Sequence, residues 1–209
     1  AQAQENINVA VKVEQESDGV IADSEVWEAM FSAQYRDIRD NLSEAIDNNS
    51  VEVIREGDKI IVRLASKGSF KSGAAELQPG FGLLLNEVGA AIDDVEGMIT
   101  IEGHTDNVPI TNGRVLKDGS RNNLELSARR ATNTYGLMVV HRPKALKMLN
   151  PSGQQVLSVS AYGKQRPIAD NRMSTGRQNN RRIDIRIVMH VPKDQVALES
   201  LIATVKALE

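Results

Sequence analysis

The chain has 209 residues, of which 41% are hydrophobic, a formal charge of −3 and no cysteine. That length and apolar content suit one sizeable core with appended elements, and lysines and arginines scattered among acidic residues give no reason to expect a nucleic-acid partner. The lack of cysteine excludes a disulfide framework, thiolate zinc sites and a cysteine nucleophile, and no apolar run reaches the roughly 18–20 residues that cross a bilayer.

Ala1 is followed by neither a basic nor an apolar leader segment, and because the chain begins without Met it is read as a mature form from which an upstream signal or membrane segment has been removed. Ile7, Val9, Val11 and Val13 alternate with Asn8, Ala10 and Lys12, the period of a strand with one buried face. Gln15 to Gly19 reads as a connector. From Ser24 the period lengthens: Trp27, Met30, Phe31, Ile38, Leu42, Ala45 and Ile46 recur at three- and four-residue steps and predict an amphipathic helix. Its stripe, which includes Trp27, Phe31 and Tyr35, packs either on its own domain or on a partner such as a second copy. Asp47 to Ser50 ends it.

Val51 to Leu64 reads as a hairpin turning at Arg55 to Asp58. A Gly/Ser-rich loop over Ser66 to Gly73 leads to a second helix between Pro79 and Asp94, with Phe81, Leu84, Leu85, Val88 and Ile92 on one face. Met98 to Glu102 is a β-branched strand that runs into Gly103-His104-Thr105-Asp106-Asn107. After a turn-rich stretch, Leu124, Ala128, Ala131, Tyr135 and Met138 define the apolar face of a third helix. Val156 to Ala161 and Ile183 to Val188 read as strands, and residues beyond Pro192 as a closing helix. This alternation predicts an α/β (α+β) two-layer sandwich, with helices on one face of a mixed sheet.

Two kinds of residue stand out as candidate binding groups. Asp106 follows a strand end, where groups free of sheet pairing gather. Asn123, Ser127, Arg130 and Thr134 form a polar stripe along the third helix. A carboxylate and a guanidinium facing one cleft match a zwitterion such as an amino-acid head group, the guanidinium gripping a carboxylate bidentately. From spacing alone, an Asx turn for Asp106 and a solvated helix charge for Arg130 are the favoured reading. His104, His141 and His190 are too dispersed for a metal pair, so no metal and no cofactor are expected. His104-Thr105-Asp106 lacks the elbow or zinc-helix context of a hydrolase, and no enzyme activity is expected. Arg177, Arg181, Arg182 and Arg186 form the densest basic cluster. Without interleaved aromatics it reads as a structural or solvated face, with a secondary glycan contact by Arg181 as the alternative.

Four blocks in order, Thr100-Ile101-Glu102-Gly103-His104-Thr105-Asp106-Asn107, Leu126-Ser127-Ala128-Arg129-Arg130-Ala131, Tyr162-Gly163 with Pro167, and Asn180-Arg181-Arg182-Ile183, resemble the OmpA-like family over roughly Val51 to Val191. The resemblance implies a periplasmic βαβαββ domain that binds the diaminopimelate stem peptide of peptidoglycan without cleaving it. It assigns the key contacts to Asp106 and Arg130, pocket-lining or bracing roles to Thr105, Asn107 and Asn123, and backbone contacts to the loop from Gly68 to Phe70. The expected division is an N-terminal strand and linker helix over 1–49, the OmpA-like peptidoglycan-binding domain over 50–192 and a C-terminal helix over 193–209. Asp106-Asn107-Val108-Pro109-Ile110 and Asn123 to Ser127 look most like the MotB flagellar stator branch, although Leu124 stands where that branch often has Trp. That branch implies a homodimer tethered to the inner membrane through a segment outside this chain, with the helix from Ser24 as the linker that controls dimerisation. The alternatives are a secretion-system or outer-membrane anchor of the same family, or a structural dimerisation domain with a vestigial pocket.

Overall fold

The computed structural model describes residues 27–65, 69–70, 73–93, 95, 97–110, 115–141, 149 and 153–189. The strand expected at Ile7 to Val13, the closing helix beyond Pro192 and Gly68 lie outside the described residues. The chain divides into two compact units, one of residues 1–36 with 191–209 and one of residues 37–190. In the first, Trp27 and Phe31 stack one helical turn apart, ring centroids 5.1 Å from each other.

Helix α1 covers 27–41, and a turn at Leu42 separates it from α2, Ser43–Asp47, where the sequence suggested one unbroken helix. Within the second unit Ile38, Leu42 and Ala45 are buried as the periodicity requires. Strands β1, Val51–Glu56, and β2, Lys59–Ala65, form the expected antiparallel hairpin. Of its two turn residues only Gly57 has positive φ, at 61°, the type II′ pattern that matches the twist of the flanking strands. Next come α3, Phe81–Ala91, β3, Gly97–His104, and α4, Asn123–His141. The chain continues through β4, Leu157–Gly163, α5, Ser174–Asn180, and β5, Arg182–Met189.

The sheet is five-stranded and mixed, in the order β1-β2-β5-β3-β4. β5 lies antiparallel between β2 and β3, and β3 runs parallel to β4, the two joined through α4. The run β2-α3-β3-α4-β4-β5 is the expected βαβαββ order, with β1 and α5 added to it. Register aligns Leu64, Val62 and Ile60 of β2 with Ile183, Ile185 and Ile187 of β5, and the last two of these with Ile101 and Ile99 of β3. The result is one continuous apolar face, buried almost throughout. α4 packs over β3 and β4, and α3 packs on α4.

Two elements depart from the sequence expectation. α5 was not foreseen, because Ser174 to Asn180 has no apolar periodicity; side-chain bonds from Asn180 to the 168–171 segment hold it instead. The buried face of α4 is also rotated from the one expected. Leu126, Ser127, Arg130, Ala131, Thr134 and Met138 point inward, while Leu124 is 49% exposed. The two hydroxyls on this face are satisfied locally: Thr134 Oγ1 donates to the Arg130 carbonyl, and Ser127 Oγ donates to the Leu124 carbonyl while accepting from the Gly163 amide. At Gly103 a Cβ would overlap the Ser127 carbonyl, so β3 and α4 approach more closely than any other residue allows.

Candidate functional site

The C-terminal end of β3, the N-terminal turn of α4 and the junction of α5 with β5 meet around a cleft of about 270 Å³. Thr105, Asp106, Asn123, Arg130 and Arg181 line it together with Arg177. Asn107 does not: it is exposed, and its amide faces the Asn171 side chain at 3.3 Å.

Asp106 is held from several sides. The Thr105 amide donates to the Gly163 carbonyl at 2.8 Å, fixing the chain as it leaves β3. Asp106 Oδ1 accepts the Val108 amide at 3.0 Å, which is the Asx turn allowed by the sequence. Oδ2 accepts Arg181 Nη1 at 2.7 Å. Asn123, opening α4, donates through Nδ2 to the Asp106 and Val108 carbonyls at 3.2 and 3.0 Å and so clamps the loop to the helix.

Arg130 is not a solvated helix charge, since the residue is only 2% exposed. Its Nε donates to the Ala74 carbonyl at 3.0 Å, and its guanidinium lies 5.0 Å from the centroid of the Phe70 ring. Burial first, then the like charge of Arg181, push it down to about 10 against the pull of Asp106 and Asp118, so it stays charged near neutrality. Its terminal nitrogens have no hydrogen-bond partner among the described residues. A buried, charged fork with idle donors is equipped to take a carboxylate side-on.

The basic cluster read as one face of the sequence is divided by strand alternation. Arg177 and Arg181 face the cleft, whereas Arg182 and Arg186 turn to the opposite face of the sheet. There Arg182 Nε meets Asp184 Oδ2 at 2.8 Å, Arg63 Nε meets Asp184 Oδ1 at 2.9 Å and Arg186 Nε meets Glu102 Oε1 at 2.9 Å. His104 is buried between them, Nε2 lying 3.7 Å from both Glu102 Oε2 and Asp184 Oδ2. Burial holds the imidazole below its ordinary pKa against the pull of Glu102, which favours the neutral ring. Burial opposes ionisation of Glu102 too, but His104 and Arg186 outweigh it and keep its carboxyl below the usual value. Donor atoms of Glu102, His104 and Asp184 lie within 4.8 Å of one another, yet the guanidiniums on both carboxylates already supply the positive charge a cation would bring. The trio fits an internal ion network better than a metal centre.

The family model described as the OmpA family matches residues 69–181, more than half of the chain. The chain belongs to the OmpA family. Motility protein B of Bacillus subtilis (strain 168) is 29% identical over 168 residues, covering 80% of this chain and 58% of that protein. The OmpA-family chain spans about half the length of the curated relatives it matches. Among solved structures, the cell wall anchor of the T6SS from Pseudomonas aeruginosa superposes with a TM-score of 0.60 at 25% identity, covering 73% of this chain and 97% of that one. A MotB-like protein from Desulfovibrio vulgaris shares the fold with a TM-score of 0.65 at 22% identity, covering 83% and 99%. The mixed sheet with its helices is thus the architecture of MotB and OmpA-like domains.

The sequence pointed to Asp106 and Arg130 through the motif blocks, but it could not pair Arg181 with Asp106 across 75 positions. Nor did it give Arg177 a place in the cleft, because that depends on the unforeseen α5.

Proposed function

We propose that this cleft binds the diaminopimelate-containing stem peptide of peptidoglycan without cleaving it and thereby anchors an envelope complex to the cell wall. The single observation that carries the reading is the buried Arg130 guanidinium, its terminal nitrogens without a hydrogen-bond partner among the described residues, lining the same cleft as Asp106. Arg130 grips a ligand carboxylate bidentately, and Asp106, with acceptor capacity left after Val108 and Arg181, holds an ammonium. Each charge-assisted hydrogen bond contributes about 1.5–3 kcal/mol. Thr105 and Asn123 shape the Asp106 loop, and Asn107 braces it from outside. The Phe70 ring lies against the Arg130 guanidinium.

The likeness to Motility protein B and to a cell wall anchor supports this reading. On it, residues 50–192 form the binding domain, 1–49 the linker and 193–209 a terminal helix. The protein is periplasmic, homodimeric and tethered to the inner membrane as part of a flagellar stator. Sedimentation with purified sacculi tests the core of the proposal: the chain pellets with them, and Asp106→Ala or Arg130→Gln stays in the supernatant. Equal pelleting of all three proteins would remove the site from the proposal.

A further inference from the structure

Resting on the peptidoglycan reading, we infer that the cleft selects its ligand by charge, taking stems whose diaminopimelate carboxyl groups are free and excluding the same stems with a carboxamide in that place. Among the described residues, three guanidiniums, of Arg130, Arg177 and Arg181, line the cleft against the single carboxylate of Asp106. That carboxylate is already engaged by Arg181 at 2.7 Å, so the pair is neutral before any ligand arrives. Arg177 Nη1 donates to the Asn171 and Arg172 carbonyls at 2.8 and 3.0 Å, which satisfies hydrogen bonds but cancels no charge. Asp118 pulls on Arg130 from outside the lining and still leaves the guanidiniums in excess.

Arg130 carries that excess most acutely. It is nearly inaccessible, meets only a backbone carbonyl and an aromatic face, and pairs with no carboxylate among the described residues. Arg63, Arg182 and Arg186 on the other face each reach a carboxylate within 3 Å. The cleft is therefore short of negative charge at a buried point, where screening by water is weakest.

A free carboxylate supplies that charge and two acceptor oxygens matched to the fork. A carboxamide supplies one acceptor and turns an NH₂ donor toward a group that can only donate, leaving an N–H unsatisfied. Amidation also converts a zwitterionic ligand end into a net cation, which the surplus guanidiniums repel.

Titration calorimetry of the 209-residue chain with two soluble muropeptides, disaccharide-tripeptides bearing either a free or an amidated diaminopimelate carboxyl, tests the inference. The free form binds at least about tenfold more tightly, as expected from the loss of one charge-assisted pair. Equal affinities overturn the charge selection and leave the peptidoglycan reading standing. Failure of both ligands to bind, together with failure to pellet with sacculi, overturns the two together. Arg130→Gln, which no longer pellets with sacculi, should bind both muropeptides weakly and within about twofold of each other, and Arg177→Gln, at a less buried position, should keep binding and narrow the gap. Undiminished discrimination in both variants would show that the selection does not come from this surplus of charge.

Discussion

Arg181 and Arg182 are adjacent in sequence and enter opposite electrostatic settings. Arg182 joins a layer on one face of the sheet where Asp184 and Glu102, with Glu52 and Glu56 at its margin, answer Arg63, Arg182 and Arg186 at hydrogen-bonding distance. Arg181 enters a cleft in which positive groups outnumber negative ones and Arg130 has no acidic partner among the described residues. Both regions take residues from the same two strand ends, β3 and β5, so the local backbone does not distinguish them. What differs is completeness: the layer closes its charges internally, and the cleft leaves them for something else to close.

The sharpest way to break this contrast is to remove a charge from each region and compare stabilities. Asp184→Ala strips the partner from both Arg182 and Arg63 and should cost about 3–5 kcal/mol in urea denaturation, because guanidiniums with little solvent access are left uncompensated. Gly103→Ala tests the close approach that joins the two regions: its Cβ meets the Ser127 carbonyl, so stability should fall by about 1–3 kcal/mol and sacculus binding should weaken as α4 is displaced. Arg130→Met should move stability by less than about 1 kcal/mol, since the loss of its bond to the Ala74 carbonyl is offset by relief of a buried unpaired charge, while sacculus pelleting is lost. A destabilisation by Arg130→Met as large as that of Asp184→Ala would erase the distinction.

The smallest effect expected is on pH dependence. His104 has its folded pKa below the ordinary 6.5, so the unfolded chain takes up the proton first; stability is full above that value and declines as pH falls below it. Glu102, also depressed, contributes stability above its ordinary 4.5 that is lost as pH falls further through its folded pKa. His104→Gln should flatten the upper part of that decline in melting experiments and leave the lower part in place.

The hairpin, α3, α4 and the strands were legible because each carries its own period: alternation in Ile183 to Ile187, three- and four-residue steps in Phe81 to Ile92. The motif blocks single out Asp106 and Arg130, and the fold brings both to one cleft. The inward face of α4 was not legible. Hydropathy assigns Ser127, Arg130 and Thr134 to solvent, whereas in the structure helix carbonyls and the Gly163 amide satisfy the two hydroxyls and the Ala74 carbonyl takes only the Nε of Arg130. Arg181 was read as a peripheral contact because its pairing with Asp106 is a property of the antiparallel β3/β5 alignment, which no local pattern encodes.

That alignment also governs how the molecule would carry a load. Asp106 and Arg181 adjoin the ends of two neighbouring strands inside the sheet, and β5 is hydrogen-bonded along both edges. A pull delivered at the cleft along these strands has to shear whole ladders of backbone bonds at once instead of unzipping them one by one. The cross-strand ion pairs Arg63–Asp184 and Arg186–Glu102 add a ratchet against slippage, because a shift of one residue would turn Asp184 and Arg186 into the apolar layer and the isoleucines out of it.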